Sequence, residues 1–404
     1  MSVLKPRDAK ETAEAVAWAA AEGASLEVVA GGTKRALGRP MKTDHVLDVS
    51  QLEGIVAYEP AELVLTARPG EKLASIAAEL DKNRQVLSFE PPDWRALLGA
   101  RGEATLGGLI ACNLAGSRRV RAGSARDYVL GFSAVNGFGD IWKAGGKVVK
   151  NVTGYDMGKL QAGAYGTLSA LTELTLKVMP KPETACTLVL HGLADEVAIQ
   201  TLAKALNSPF EVSGAAHLPP SAARRSKAGA VAAGSGAATA LRLEGPLPSV
   251  AYRADALEKL VGRGARLNET ETQVFWSEVG AVQPLLEQGL RVVWRLCPTP
   301  SMSPSVAHSI RGALPSAEFY FDWGGGLIWL SLDAEQAGAD AGARIVRGAP
   351  KSGHATLIAA PEALRATVPV FEPLSAAVAE LTARVKKGFD PRGILNPGRM
   401  YQGL

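Results

Sequence analysis

Three glycine-rich segments, each beside a predicted strand or helix, most constrain what this chain can fold into. They are AGGTKRA (30–36) after the predicted strand LEVVA, GARGEATLGG (99–108), and GAYGT (163–167) before the alternating run ALTELTLKV. Backbone N–H groups in such turns can surround a phosphate, and glycine lets a ligand approach the backbone closely. The first segment alone is explained equally well by a tight turn. Three such segments in one region predict a long ligand that the backbone contacts repeatedly.

Several common kinds of site lack support in the sequence. None of the three segments reads G-x-G-x-x-G or G-x-x-x-x-G-K-[ST], so neither a Rossmann site nor a P-loop is indicated. No paired carboxylates, G-x-S-x-G motif or Cys/His constellation suggests hydrolysis. The three cysteines form no C-x-x-C motif, and no two of the five histidines are closer than 26 residues. We therefore predict no metal site and no cysteine-ligated iron–sulfur cluster within this chain.

Length and charge narrow the class of protein. A chain of 404 residues, 47% of them hydrophobic and 21% charged, fits two ordinary globular domains. The net charge of +4 suits an anionic cofactor or substrate and is too small to indicate nucleic-acid binding. The basic run SRRVRAGSAR (117–126) lacks aromatic residues and is read as a solvated loop or a partner surface. No signal peptide and no run of 18 apolar residues is found, so we expect a cytoplasmic protein without a membrane span.

The pattern of elements indicates two unlike halves. Residues 8–23 predict an amphipathic helix that ends at Gly23, and Asn136-Gly137 predicts the turn of a hairpin. The prolines of MPKPET (179–184) mark a boundary, beyond which strands and helices alternate as in an α/β domain with an antiparallel sheet. Residues 219–238 are predicted to be a flexible low-complexity loop. The ending FDPRGILNPGRMYQGL is too specific for a frayed terminus.

The order of the motifs carries a family resemblance. AGGTK, RPG, ATLGGLIACNLAG, RAGSARDYVLG, KNVTGYD, GAYGTLSALTELTLK and FDPRGILNPGRM occur as in FAD-linked oxidases of the vanillyl-alcohol-oxidase type. Among these the chain most resembles the FAD-binding E subunits of bacterial glycolate oxidases, over residues 1–182 and the last sixteen residues. The resemblance implies an α+β fold: a PCMH-type two-subdomain FAD-binding domain (1–182), an α/β cap domain with an antiparallel sheet (183–385), and a tail (386–404) that returns to the first domain.

The resemblance also implies which residues bind FAD. The first segment would hold the diphosphate, the second would flank it, residues 112–114 would run along the flavin, and residues 163–167 would close the site. The residues so implied are Ala30, Gly31, Gly32, Thr33, Lys34, Thr105, Gly107, Gly108, Cys112, Asn113, Leu114, Gly163, Tyr165, Gly166 and Thr167. Lys150, Asn151 and Tyr155 match a signature of the E subunits themselves. Two roles for Lys150 stay open: a positive charge near N1 of a reduced flavin, or a pair with a surface carboxylate.

The chain departs from related oxidases at two points. Tyr165 stands where many relatives have a glutamate, as it does in the E subunits. The close pair of metal-binding histidines found in relatives that oxidise 2-hydroxy acids is missing, and no histidine falls within a matched flavin motif. The second point favours non-covalent FAD and leaves the catalytic residues unassigned. Should a base be needed, His217 is the first candidate.

The function implied is that of one subunit of an oxidase. A second FAD-linked glycolate oxidase subunit and an iron–sulfur subunit would be its partners, and glycolate the substrate. Membrane contact would arise only through those partners, at the inner face. Two alternatives remain at this point: a subunit that holds FAD for structure alone, and a self-sufficient FAD-dependent hydroxy-acid oxidase. Because no histidine lies in a flavin motif, we expect the chain alone to oxidise glycolate poorly.

Overall fold

The computed structural model describes residues 1–146, 154–234, 236–286 and 291–404. The N-terminal part of the chain alternates short strands with short helices. In chain order these are β1 (Ser2–Leu4), α1 (Ala9–Glu22), β2 (Leu26–Val29), β3 (His45–Asp48), β4 (Ile55–Glu59), β5 (Val64–Ala67), α2 (Leu73–Asp81), β6 (Gln85–Val86), α3 (Leu106–Ala111), α4 (Arg119–Ala122), β7 (Val129–Asn136), β8 (Ile141–Gly145), α5 (Met157–Gln161), β9 (Ser169–Lys177) and β10 (Met179–Pro180).

These strands form two main sheets. The first is parallel, in the order β1-β3-β2, and the second is antiparallel, in the order β4-β5-β9-β7-β8. The alternating run that follows the third glycine segment is β9, the middle strand of the second sheet. β9 is a largely buried strand, and the third glycine segment leads directly into it.

Helix α1 shows why the local sequence folds as predicted. The Asp8 side chain accepts a hydrogen bond from the Glu11 N–H, and Gly23 ends the helix with a φ of 67°. Such a cap suits glycine because the left-handed conformation strains residues with a Cβ. Val16 and Ala19 are fully buried against the parallel sheet. The predicted helix over 8–23 is confirmed.

The rest of the chain builds one large antiparallel sheet with helices around it. Its strands lie in the order β14-β11-β13-β12-β16-β17-β15-β18. The elements are β11 (Thr184–His191), α6 (Asp195–Leu206), β12 (Gly214–Leu218), α7 (Pro220–Ala223), α8 (Gly229–Ala232), β13 (Ala238–Gly245), α9 (Leu247–Val261), β14 (Ala265–Leu267), α10 (Glu269–Gly280), β15 (Arg291–Pro298), α11 (Ser303–Ala313), β16 (Glu318–Asp322), β17 (Leu327–Asp333), α12 (Ala334–Ala337), α13 (Ala343–Gly348), β18 (Gly353–Ala359), α14 (Glu362–Thr367) and α15 (Ala376–Phe389).

The prediction of a flexible loop over 219–238 is wrong for most of that stretch. It contains α7 and α8, and Ala222, Ala223, Ala228 and Val231 are almost completely buried. Composition alone misled, because alanine and serine are equally compatible with a solvated linker and with tight helix packing. Pro219 and Pro220 start a helical turn here, as proline readily does.

The two parts of the chain share a hydrophobic core. Trp94 packs edge-on against Trp329, with ring centroids 5.5 Å apart, and its indole N–H donates to the carbonyl of Gly280 at 3.0 Å. The largest core cluster contains residues from both parts. The proposed division into residues 1–182, 183–385 and 386–404 stays a prediction. Within the described ranges, no helix is both long and apolar enough to cross a bilayer.

Candidate functional site

A cavity lies where the glycine segments meet; we call it the glycine-lined cavity. Eleven of the predicted residues line it: Ala30, Gly31, Gly32, Thr33, Lys34, Thr105, Gly107, Gly108, Cys112, Tyr165 and Gly166. Its wall also includes Val28, Val29, Arg35, Val49, Pro69, Ala111, Gln161, Ser169, Leu171, Asn396 and Arg399. Segments far apart in sequence therefore meet at one site.

The first segment turns sharply at the end of β2. A Cβ on Gly31 would lie 2.0 Å from the carbonyl oxygen of Glu103, so the first segment packs directly on the second. Gly32 has a φ of 69°, and a Cβ there would have only the Arg35 side chain within 4 Å, at 3.8 Å. Gly31 thus serves the packing of two loops. Gly32 gives the turn its left-handed residue and leaves open space at the cavity.

Lys34 brings a positive charge to this cavity. Its Nζ lies 3.2 Å from the Thr33 hydroxyl, and among the described residues no carboxylate is within ion-pairing distance of it. Burial lowers the pKa of Lys34, while Cys112 and Asp93 act in the opposite direction. A partly buried ammonium without a carboxylate partner is costly unless a bound anion compensates it. The site is therefore suited to an anionic group such as a diphosphate.

The second segment leads into α3, with Thr105 at its N-cap position. A Cβ on Gly107 would lie 2.6 Å from the Cβ of Pro69, so this glycine allows the helix to pack on the RPG turn. Gly108 faces the cavity: a Cβ there would lie 3.4 Å from the Thr105 hydroxyl and 3.7 Å from Cδ of Lys34. The second segment thus enters a short apolar helix, Leu106–Ala111.

Gln161, two residues before the third segment, supplies an unpaired donor. Gln161 accepts a hydrogen bond from the Ser169 hydroxyl at 2.7 Å through Oε1, which fixes the amide, and its buried Nε2 has no acceptor among the described residues. Gly166 has a φ of 71°, and a Cβ there would lie 2.7 Å from the side-chain nitrogen of Asn396. Buried amide donors are rarely left unsatisfied in folded proteins. Nε2 of Gln161 is thus available to a ligand with hydrogen-bond acceptors.

Tyr165 lies between this cavity and a second one. Its φ is 54°, and its N–H donates to the carbonyl of Ala111 at 2.9 Å. Burial, followed by the influence of Cys112, raises the pKa of the phenol well above its ordinary value. A phenol with a raised pKa stays protonated at neutral pH. Tyr165 is therefore not suited to the role of a general base.

The C-terminal tail completes the glycine-lined cavity. Leu395 forms a parallel bridge with Leu26. Asn396, with a φ of 43°, accepts from the N–H of Val28 at 2.8 Å and donates to the carbonyl of Tyr165 at 2.7 Å. The buried Arg399 donates to the carbonyl of Lys34 at 2.7 Å, and its Nε has no acceptor among the described residues. The tail thus joins the first and third segments and adds a cation to the wall.

Several predicted residues lie elsewhere. Asn113 and Gly163 line the second cavity instead. Leu114 is 2% exposed and belongs to the core, and the Thr167 hydroxyl donates to the carbonyl of Ala164. Leu114 and Thr167 line neither the glycine-lined cavity nor the second cavity. The Tyr155 side chain is 89% exposed. The predictions for Lys150 and Asn151 lie outside the described residues.

The second cavity adjoins the first at Cys112 and Tyr165. We call it the basic cavity because Arg119, Arg295 and His354 line it. Partial burial, together with the charge of Arg295, lowers the pKa of His354. Part of the wall comes from residues 371–375, which precede α15, and from Met400 and Tyr401 of the tail. The basic cavity thus lies between the large sheet and the C-terminal residues.

Sequence reasoning missed the residues that reach the site from a distance. Gln161, Asn396, Arg399, Arg295 and His354 fall outside the glycine segments, and only the specificity of the tail gave a signal. Arg119 lies in the basic run read as a solvated loop or partner surface. That interpretation is wrong for two members of the run: Arg118 pairs with Glu244 at 2.6 Å, and Arg119 lines the basic cavity.

His217, the first candidate for a base, lines neither cavity. It is fully buried, with Nε2 3.0 Å from Asp195 and Nδ1 2.8 Å from the Thr239 hydroxyl. Asp195 also contacts His308, at 2.8 Å. These contacts join α6, β12 and α11. The position of His217 is that of a packed structural histidine.

Comparisons with known proteins identify the family. The sequence profile of a FAD binding domain matches residues 2–145. Over 97% of this chain and 97% of the relative, 35% of residues are identical to the glycolate oxidase subunit GlcE of Escherichia coli strain K12. The chain belongs to the GlcE family. It is accordingly an FAD-dependent oxidoreductase, and its cofactor is FAD.

Two further comparisons agree with a GlcE-type chain. GlcD, the glycolate oxidase subunit of Bacillus subtilis strain 168, is 33% identical over 205 residues, which are 50% of this chain and 42% of GlcD. The crystal structure of p-cresol methylhydroxylase with substrate bound superposes with a TM-score of 0.68 at 12% identity, covering 99% of this chain and 88% of that one. The second comparison establishes the fold alone. The predicted PCMH-type α+β fold is confirmed.

The residues of the glycine-lined cavity fit FAD. A flavin ring carries carbonyl and ring-nitrogen acceptors, and its dinucleotide carries a diphosphate. Nζ of Lys34, Nε2 of Gln161 and Nε of Arg399 have no carboxylate or carbonyl acceptor among the described residues. The open space beside Gly32 and Gly108 lets a ligand approach the backbone. The donors supply what the acceptors of the cofactor require.

Proposed function

We propose that the chain is the FAD-binding subunit of a multi-subunit oxidase that converts glycolate, or a closely similar 2-hydroxy acid, to the 2-oxo acid. The observation that carries the proposal is the relation to GlcE along nearly the whole length of both chains. The donor-lined cavity supports it, because it lies where the family resemblance predicts the cofactor. A substrate and a multi-subunit assembly are thus proposed in addition to the assigned class, the FAD-dependent oxidoreductases.

When bound, FAD supplies an acceptor for the two electrons and two protons that a 2-hydroxy acid loses on becoming a 2-oxo acid. The chain's own residues bind and orient that cofactor. In the proposal, Lys34 and Arg399 hold the negatively charged diphosphate, and Gln161 donates to an acceptor of the ring system. Tyr165 and Cys112 line both cavities, at the boundary where the cofactor would adjoin the basic cavity.

The proposed partners would supply a redox centre for which the described residues of this chain offer no ligands. Cys112, Cys186 and Cys297 are free, and among the described residues no group of three metal-binding side chains is arranged around a common point. In the multi-subunit proposal, the electrons that FAD accepts pass to a carrier on another chain. We propose a second FAD-linked glycolate oxidase subunit, of the GlcD type, and an iron–sulfur subunit as partners. A cytoplasmic location, with membrane contact only through these partners, belongs to the same proposal.

A self-sufficient oxidase is the second candidate, and one observation favours it. The expectation that the chain alone oxidises glycolate poorly rested on the lack of a histidine near the flavin motifs. His354 lines the cavity that adjoins the glycine-lined cavity, and its lowered pKa favours the neutral, proton-accepting form. The structure therefore removes the main argument against turnover by the isolated chain.

The experiment that tests the proposal compares the chain alone with the assembled oxidase. The purified chain should show the visible spectrum of bound FAD, and acid precipitation should release the cofactor if it is non-covalent. Glycolate is then added without oxygen, with and without the partner subunits. Bleaching that requires the partners supports the multi-subunit proposal. Bleaching of the isolated chain within seconds favours the self-sufficient oxidase, and a colourless chain that cannot be loaded with FAD contradicts both.

A further inference from the structure

The basic cavity brings together positive charges from separate elements. Arg119 is the first residue of α4, and Arg295 lies in β15. In the large sheet Arg295 pairs with Thr356 of β18, and Cys297 pairs with His354. Because side chains alternate along a strand, these four residues point to the same side of two neighbouring strands. The sheet register therefore fixes Arg295 and His354 on one wall of the basic cavity, with Arg119 on another.

The two arginines lack acidic partners. Nε of Arg295 is buried without a hydrogen-bond acceptor, and among the described residues neither guanidinium forms an ion pair. Arg119 instead stacks over the ring of Trp323, with 4.7 Å from Cζ to the centroid. Burial and the charge of Arg295 both lower the pKa of Arg119. Bringing like charges into one partly buried cavity costs free energy that a bound anion can offset.

Neighbouring buried arginines show that the chain usually supplies a partner. Arg118, next to Arg119 in the sequence, is 2.6 Å from Glu244, and Arg242 is 2.6 Å from Glu90. The carboxylate at the basic cavity is Glu372, which accepts from the N–H of Ala355 at 2.9 Å and lies 3.6 Å from Arg347. Its charge is already engaged. The wall around Arg119 and Arg295 therefore keeps an uncompensated positive charge.

We propose that Arg119 and Arg295 bind the carboxylate of a small organic acid in the basic cavity, beside the boundary with the glycine-lined cavity at Cys112 and Tyr165. Guanidinium groups match the planar, two-oxygen geometry of a carboxylate and bind it with paired hydrogen bonds. The identity of the acid as a 2-hydroxy acid rests on the proposed function. That this subunit itself binds the acid rests on the two arginines. The inference assigns substrate binding to this chain and not only to a partner.

Calorimetric titration with oxalate tests the proposal, because oxalate carries carboxylates and has no hydroxyl to oxidise. The full chain is titrated with FAD bound, and oxamide, the neutral analogue, is the ligand control. We expect saturable binding of one oxalate per chain and no binding of oxamide. Arg119→Met and Arg295→Met should each raise the dissociation constant at least about tenfold, as expected when a charged hydrogen bond is lost. Arg295→Lys should retain part of the affinity.

Arg344→Met is the matched control, because Arg344 is exposed on α13 and lines neither cavity. Its dissociation constant should equal that of the wild type. The proposal would be overturned if wild-type protein does not bind oxalate, or if the Arg119 and Arg295 variants bind it with unchanged affinity. If a methionine variant does not fold, as judged by circular dichroism, Arg119→Lys and Arg295→Lys replace it and must weaken binding.

The failure of this inference can be told apart from failure of the proposed function. FAD-loaded chain that takes part in glycolate oxidation with its partners but does not bind oxalate contradicts the inference alone. Chain that cannot be loaded with FAD contradicts the proposed function, while calorimetry on the cofactor-free chain still reports on the arginines. If an acidic side chain of a partner is the true occupant of the basic cavity, oxalate should not bind to the isolated chain.

Discussion

At the scale of single residues, the structure separates glycines that look equivalent in the sequence. Gly31 and Gly107 are needed because protein atoms lie where their Cβ atoms would be, whereas Gly32 and Gly108 leave room at the cavity. Sequence patterns predict that glycine is required but not which neighbour requires it. Tyr165 and Asn396 show the same limit: both have positive φ without being glycine, and hydrogen bonds to distant segments accompany that conformation.

Replacing Gly32 tests where the diphosphate binds. Gly32→Asp should abolish FAD binding, because a carboxylate about 5 Å from a phosphate charge is repelled by roughly 3 kcal/mol at an effective dielectric of about 20. That energy corresponds to more than about a hundredfold loss of affinity. FAD occupancy is measured from the ratio of visible to ultraviolet absorbance.

Gly32→Asn is the matched control for that substitution. Asparagine has nearly the shape of aspartate, tolerates the left-handed conformation required at φ 69°, and carries no charge. It should therefore retain much more FAD than Gly32→Asp. Equal losses in the two variants would attribute the effect to backbone strain and would place the diphosphate away from this turn.

At the scale of elements, the tail shows what a terminal segment adds to a fold. Lys386, near the end of α15, donates to the carbonyls of Thr167 and Leu395 and to Asp390, all within 3 Å. Asp390 in turn accepts from the N–H groups of Ile394 and Leu395. The sequence predicts a tail with fixed turns, because prolines and glycines recur in it. It cannot predict these side-chain contacts, since each needs a partner more than a hundred residues away or a turn geometry set by that partner.

Arg399 should matter more for FAD binding than the other arginine of the tail. Arg399→Met removes a buried cation from the wall of the glycine-lined cavity, and we expect the dissociation constant of FAD to rise about tenfold or more. Arg392→Met is the control, because Arg392 only donates to the carbonyl of Ala20 at the surface. Fluorescence titration of the cofactor-free protein measures both constants. Equal constants for the two variants would show that Arg399 only supports the fold.

The contact between the segment after β6 and strand β13 gives a pH-dependent prediction. Burial alone would raise the pKa of Glu90, but attraction and hydrogen bonds from Arg242, with further contributions from Arg118, lower it to about 2. An acid whose pKa is lower in the folded state stabilises the fold above its ordinary pKa, near 4.5, and this contribution is lost as the pH falls toward 2. The interaction therefore stabilises the protein fully at neutral pH.

Glu90→Gln should reduce the free energy of unfolding by roughly 3 kcal/mol at pH 7, because Arg242 is left buried with its bidentate carboxylate partner removed and Glu244 3.6 Å away. The difference between wild type and variant should shrink steadily as the pH falls below about 5. Urea unfolding at several pH values measures it. Glu62→Gln, at an exposed position, is the control and should change stability little. A difference that grows on acidification would contradict the assignment.

At the scale of the whole molecule, both cavities are products of long-range topology. The glycine-lined cavity collects residues 28–35, 105–112, 161–171 and 396–399, and the basic cavity combines α4 with two strands of the large sheet. Motif order predicts that the glycine segments meet at one site, and they line the first cavity together. The second could not be predicted, because Arg119, Arg295 and His354 come together only through the sheet register and a core shared by both parts of the chain.

This arrangement predicts that FAD stabilises the entire chain. A ligand that binds only the folded state raises the free energy of unfolding by about 2.7 kcal/mol at a free concentration of one hundred times its dissociation constant. The wall of the glycine-lined cavity comes from both ends of the chain. Unfolding of any one of its segments should therefore release FAD and destabilise the other segments. Adding FAD to cofactor-free protein should therefore raise the melting temperature of one cooperative transition by several degrees, in proportion to the logarithm of its concentration.

FMN, which lacks the second phosphate and the adenosine, should give a clearly smaller shift, and Gly32→Asp should give none with either flavin. Equal shifts with FMN and FAD would mean that the dinucleotide is not recognised as a whole, and a second transition insensitive to FAD would mean that the large sheet unfolds independently of the cofactor.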